Sequence, residues 1–187
     1  MRKIRFFAAL LLLLFSASCC AQAADYSLKV GGEAPRAVAS VRAPEGFIPA
    51  PDMAVPGDTP EYYFIPEDDH SAVRFIYYTA GSGDPDALAK AALASYTAFY
   101  DDFQAGEPEA FTVGDRTGLR FDYTCAYPDR SGEHRVYEQT SVAYITVDEG
   151  VFVACVVSLG FGAAEDYLAK EALTAQLGQA LNAIAFE

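Results

Sequence analysis

Residues 150–160 read GVFVACVVSLG, and this run constrains the fold more than any other. In a β-strand successive side chains point to opposite faces. Val151, Val153, Cys155 and Val157 therefore share one face, and Phe152, Ala154 and Val156 share the other. A strand apolar on both faces needs cover on both, so its sheet must lie between two layers.

Two further β-type runs precede it, GLRFDYTCAY and HRVYEQTSVAYITV. The polar turn PDRSGE joins the first to the second, and Asp148-Glu149-Gly150 joins the second to the third. Connections this short and rich in turn formers predict an antiparallel three-strand meander. Upstream, EYYFIP and AVRFIYYTA flank the acidic turn Glu67-Asp68-Asp69-His70, the pattern of a hairpin. Shorter β-type runs at Ala39–Arg42 and Phe47–Ile48 flank the turn Pro44-Glu45-Gly46.

Two helices supply the cover. The first starts at Asp84 as N-cap, with Pro85 at the first helical position and Asp86 complementing the dipole. Leu88, Ala92, Ser95, Phe99 and Phe103 fall on one helical face, widened by Leu93, Tyr96 and Tyr100. The spacing predicts a helix from Pro85 to Asp102, ending before Gly106 and Pro108. The second spans about Glu165 to Ala183 with Leu173, Leu177, Ala180, Leu181 and Ile184 as its stripe, and the chain closes in a short apolar tail, Ile184-Ala185-Phe186.

The predicted class is α+β: an antiparallel sheet of about six strands flanked by two main helices in an α-β-α sandwich. The segments ASVRAPEGF, GLRFDYT and LNAIAFE, in this element order, resemble the PsbP/Mog-like α-β-α sandwich group over residues 38–187. That group includes an extrinsic photosystem subunit, a nuclear-transport accessory factor and small exported bacterial proteins of unassigned function. The resemblance implies a fold and transfers no site residue.

The N-terminus sets the compartment. Arg2, Lys3 and Arg5 precede an apolar run from Phe6 to Phe15, too short to span a bilayer, and the small-residue exit SASCCAQAA follows. This is a secretory signal. Ala21-Gln22-Ala23 places cleavage after Ala23 and releases an exported chain. The alternative is lipidation at Cys19, behind Ser16-Ala17-Ser18, which would anchor the chain to the membrane. The expected organisation is a signal peptide over 1–23, a flexible tether over 24–37 and one domain over 38–187. Nothing after Phe15 is long and apolar enough to form a transmembrane segment. Removing the leader takes three basic residues and no acid, moving the net charge from −13 to −16. Such a surface repels phosphate backbones and excludes nucleic acid as a partner.

No stretch carries a nucleophile signature, a cofactor loop or metal-ligand spacing, so no catalytic, cofactor-binding or metal residue is assigned. His70 and His134 each sit beside a turn. Gly81-Ser82-Gly83 reads as a connector. The acidic pairs at 67–69, 101–102, 148–149 and 165–166 fall at turns or element ends, where neighbouring residues do not converge. The candidate polar strip lies on the meander. A register centred on the DRSG turn brings Thr124 opposite Glu138, Asp122 opposite Thr140 and Arg120 opposite Val142. Cys19 and Cys20 leave with the signal, so Cys125 and Cys155 remain. The middle strand of the meander separates them by about 10 Å, beyond disulfide reach, which predicts two buried thiols.

These features point to a non-enzymatic exported accessory or binding domain at or outside the bacterial cell envelope, with a protein partner there. The alternatives are an extracytoplasmic hydrolase built on two of Asp122, Glu138 and the turn acids, or a small-ligand carrier using a tyrosine-rich sheet face.

Overall fold

A computed structural model describes residues 25–30, 36–53, 61–68, 73–80, 83–129, 131–148, 150–160 and 169–187. The signal with Cys19, and also Asp69, His70, Gly81, Ser82, Glu149, Glu165 and Asp166, lie outside these residues. The strands are β1 (Tyr26–Val30), β2 (Arg36–Val41), β3 (Phe47–Pro49), β4 (Tyr62–Pro66), β5 (Val73–Ala80), β6 (Asp101–Ala105), β7 (Glu109–Val113), β8 (Arg116–Pro128), β9 (Arg135–Val147), β10 (Gly150–Gly160) and β11 (Ile184–Phe186). The helices are α1 (Pro85–Phe99) and α2 (Lys170–Asn182).

The large sheet has eight strands in the order β3-β4-β5-β10-β9-β8-β6, with β7 also pairing β8, and every pairing is antiparallel. The doubly apolar β10 lies at its centre. Val151, Val153, Cys155 and Val157 face α1, and Phe152, Ala154 and Val156 face the α2 side. The predicted sandwich, meander and 62–80 hairpin are all present. The sheet exceeds the expected six strands because β6 and β7 form an acidic, mostly exposed edge whose composition hides its strand character.

The α2 layer is mixed. A second sheet, ordered β1-β2-β11, lies beside α2. Its first strand, with the start of β2, falls inside the segment expected to be a flexible tether. Leu28 of β1 is fully buried, Tyr62 donates to the Ser27 carbonyl at 3.0 Å, and Thr79 donates to the Lys29 carbonyl at 2.8 Å. One buried leucine and these two hydrogen bonds tie the segment to the large sheet. The apolar tail becomes β11, where Phe186 packs edge-on against Phe152 and Arg116 donates to the Glu187 carbonyl at 3.0 Å. Tyr77 joins the two layers by donating to the Ala180 carbonyl of α2 at 3.0 Å.

α1 starts at Pro85 as predicted, although Asp84 makes no side-chain capping bond. The helix ends at Phe99, and the chain turns directly into β6 through Asp102, whose φ is +54°. The apolar stripe is rotated from its expected position. Ala89 is buried and Tyr96 half-buried, whereas Ser95 is exposed and Phe99 is 82% exposed. Tyrosine rings rising from β8 meet Tyr96 and Tyr100, and that contact sets the helix's rotation.

Cys125 and Cys155 are both buried and not joined by a disulfide. On β9 they lie opposite Glu138 and Val142 respectively, so four residues of register and one intervening strand separate them.

Candidate functional site

The turn between β8 and β9 decides which polar residues can meet. The Asp129 amide donates to the His134 carbonyl at 2.8 Å, and Gly132 takes a φ of +75°. The Asp129 carboxylate accepts from Ser131 Oγ at 2.7 Å, and this bond holds its carboxyl below the usual carboxylate range. The loop that results sets Cys125 opposite Glu138, Thr124 opposite Gln139 and Asp122 opposite Ser141. The observed register is one residue away from the predicted one, and a one-residue slip exchanges faces. The expected strip is thereby split. Asp122 and Thr124 face the α2 side, while Glu138 and Thr140 face α1.

On the α1 side, Glu138 is enclosed by hydroxyls. Its carboxylate accepts from Tyr123 at 2.9 Å, Tyr127 at 3.1 Å and Thr140 at 3.0 Å. Around it Tyr96 lies 5.2 Å from the Tyr123 ring, Tyr100 lies 5.5 Å from Tyr127, and Phe103 lies 5.5 Å from Tyr123. The tyrosines of β8 are thus packed beneath α1, whereas in the β4 and β5 runs considered as a ligand platform Tyr77 is buried and Tyr62, Tyr63 and Tyr78 are half-buried. Burial, reinforced by the Glu138 charge, raises the Tyr123 and Tyr127 phenols. Burial lifts Tyr96 to about 12, and burial followed by the Glu138 charge lifts the Cys125 and Cys155 thiols to about 12.

These shifts fix an alkaline limit. Well below pH 9 the folded and unfolded chains both keep these thiols and phenols protonated. As pH rises from about 9 toward about 12, the unfolded chain ionises first, so stability falls. Absorbance at 295 nm and far-ultraviolet circular dichroism should therefore change together in one cooperative alkaline transition. Phenol ionisation complete near pH 10 with the fold intact would contradict the burial.

The α2 side holds a cavity of about 550 Å³. Asp122 and Thr124 of β8 and Gln139 and Ser141 of β9 form its floor, and Lys170, Leu173 and Thr174 of the first turns of α2 form a wall. Its rim is residues 104–107 with Glu109. β6 pairs β8 as far as Ala105 opposite Tyr123, and β7 resumes with Glu109 opposite Arg120. Residues 106–108 bulge out of the ladder between them, leaving the Gly106 amide donating to the Asp122 carbonyl at 2.9 Å. Pro108, which has no N–H, suits the break. Ser141, 1% exposed, donates to Asp122 Oδ1 at 2.6 Å, and Arg120 reaches Glu109 at 3.4 Å.

Sequence reasoning placed Asp122 and Thr124 at a site and missed Gln104, Ser141, Lys170 and Thr174. Ser141 could have been found from the correct register. The α2 residues enter through tertiary packing that no local signal encodes. His134 lies in an exposed turn, and no group of three or more potential metal ligands occurs among the described residues. No helix among the described residues is long and apolar enough to cross a membrane.

Layers, sheet order and cleft together describe an α+β sandwich with a polar cavity at the junction of α2 and the β6–β7 edge. No protein-family model matches the sequence, and no curated protein matches it. Solved structures do match. The crystal structure of LpqN, involved in cell envelope biogenesis of Mycobacterium tuberculosis, aligns with TM-score 0.50 and 13% identity over 87% of this chain and 91% of that one. The solution structure of cyanobacterial PsbP from Synechocystis sp. PCC 6803 aligns with TM-score 0.54 and 11% identity over 92% of this chain and 99% of that one. A Mog1 mutant aligns at TM-score 0.45 and 12% identity, over 87% and 95% of the two chains. The chain has the PsbP/Mog-like fold, and at these identities the likeness carries no chemistry.

Proposed function

We propose that this chain is a non-enzymatic, extracytoplasmic binding domain of the bacterial cell envelope, and that the cavity beside α2 is its binding site. The cavity carries the reading. Its volume lies in the range of small-ligand sites, and polar side chains from β6, β8, β9 and α2 converge on it. The signal over residues 1–23 supports export, with cleavage after Ala23 or, in the lipid-anchored form, attachment at Cys19. The hydrolase reading loses its main carboxylate pair, because Asp122 and Glu138 stand on opposite faces of the sheet. A protein partner at the envelope then belongs to the same role, the domain presenting or withholding its ligand.

The test is a nuclear magnetic resonance screen of residues 24–187 against small polar compounds, combined with intact-mass analysis of the natural N-terminus. Perturbation confined to the amides around Asp122, Ser141 and Lys170 is the expected outcome. A screen in which ligands bind elsewhere and leave these amides unmoved would overturn the site. Turnover of a bound compound would overturn the non-enzymatic reading.

A further inference from the structure

Within the cleft, taken as the binding site just proposed, charges of both signs face one small volume. Asp122 is half-buried on the floor, with Ser141 as its hydrogen-bond donor. No cation pairs with it among the described residues. Arg120, two positions away on the same strand face, turns instead to Glu109. A carboxylate holding one hydroxyl donor keeps acceptor capacity for an incoming ammonium group.

Lys170 is placed against its local field. It is the first residue of α2, where the helix dipole opposes a cation. No carboxylate lies within ion-pair distance of it among the described residues, and Ala169 before it provides no side-chain cap. A cation there opposes the helix dipole, and Lys170 lines the cavity.

The other ligand classes fit less well. A polyanion would meet the net charge of −13 over the whole chain and Asp122, Glu107 and Glu109 in the cleft. A sugar gains most from an aromatic platform, but the Phe121 and Tyr123 rings pack on the α1 side. A ligand of zero net charge with both signs meets neither obstacle.

We propose that the cleft binds a small zwitterion of the amino-acid or short-peptide type, its ammonium group on Asp122 and its carboxylate toward Lys170. The probe is dialanine, compared by calorimetry and amide-resonance mapping with N-acetyl-dialanine, dialanine amide and glucose, all on residues 24–187. Dialanine should shift the Asp122, Ser141 and Lys170 amides, and each capped form should bind about tenfold more weakly. Asp122→Asn should weaken dialanine about tenfold, and Lys170→Gln roughly threefold. Equal binding of the capped forms, or unchanged affinity in both variants, refutes the zwitterion. Glucose moving the cleft amides while dialanine does not refutes the ligand class and leaves the cleft as the site. No probe moving those amides refutes the zwitterion, while a wider set of polar compounds that also leaves them still removes the site. If Asp122→Asn fails to fold, the exposed Lys170→Gln and the capped probes still decide.

Discussion

Gly118→Ala is expected to cost about 3 kcal/mol or more of folding stability, a large part of what a domain of this size holds. Gly118 lies in β8 opposite Ile145 of β9 on one side and opposite Phe111 of β7 on the other. A Cβ added there would sit 2.3 Å from the Tyr144 carbonyl oxygen and 2.9 Å from Phe111 Cε1. The ring could swing aside, but the carbonyl cannot. It belongs to β9, which is clamped between β8 and β10, so yielding means opening one of two long, equal ladders. Urea unfolding followed by circular dichroism measures the loss. Gly106→Ala is the matched control, since its nearest neighbour would be the Asp122 carbonyl at an ordinary 3.7 Å. A Gly118→Ala protein as stable as that control would show that the β7–β8–β9 register differs from the one described.

The same glycine shows where sequence reading stops. GLRFDYT announces a strand, but nothing local says that another strand crosses its first residue. That knowledge needs β7, and EAFTV sits among Glu107, Pro108 and Asp115 in a segment whose charge and proline argue for a loop. Edge strands in antiparallel sheets carry such residues because an apolar open edge invites pairing with other chains. The composition that protects this edge is what hides it.

What was legible came from patterns that packing cannot override. The two apolar parities of β10 demanded layers on both faces, and Pro85 behind Asp84 marked the start of α1. The meander order separated Cys125 from Cys155, a conclusion that holds in either register because two strand spacings remain. The candidate site was legible by halves. Asp122 and Thr124 were named, but the face they serve depends on the parity of one loop. The Asp129–His134 backbone bond and the positive φ of Gly132 settle that parity, and PDRSGE is compatible with either count. Helix rotation was lost for a related reason: spacing ranks Phe99 with Leu88 and Ala92, while the tyrosines rising from β8 select Tyr96 and Tyr100.

Glu138→Ala tests that split directly and should cost about 3 to 4 kcal/mol. The substitution strips one acceptor from three hydroxyl donors. Thr140 is 1% exposed and Tyr123 is buried, so water does not readily replace the carboxylate for either. Each hydrogen bond to a charged group contributes about 1.5–3 kcal/mol, and a buried donor left without an acceptor carries its own penalty. Tyr127, more exposed, recovers part of its loss from solvent. The smaller starting stability should bring the alkaline transition on at lower pH, while the loss of a cause of the raised Tyr123 and Tyr127 phenols should make the fall in stability with pH shallower. Because Asp122 points the other way and lies three residues of register from Glu138, about 10 Å along the strand, Asp122→Asn and Glu138→Ala should add in stability to within about 0.5 kcal/mol. Of these two substitutions, Asp122→Asn should lower dialanine affinity and Glu138→Ala should leave it unchanged. A strong coupling between the two substitutions would mean that the carboxylates share one environment, and would restore the carboxylate pair that the observed register takes apart.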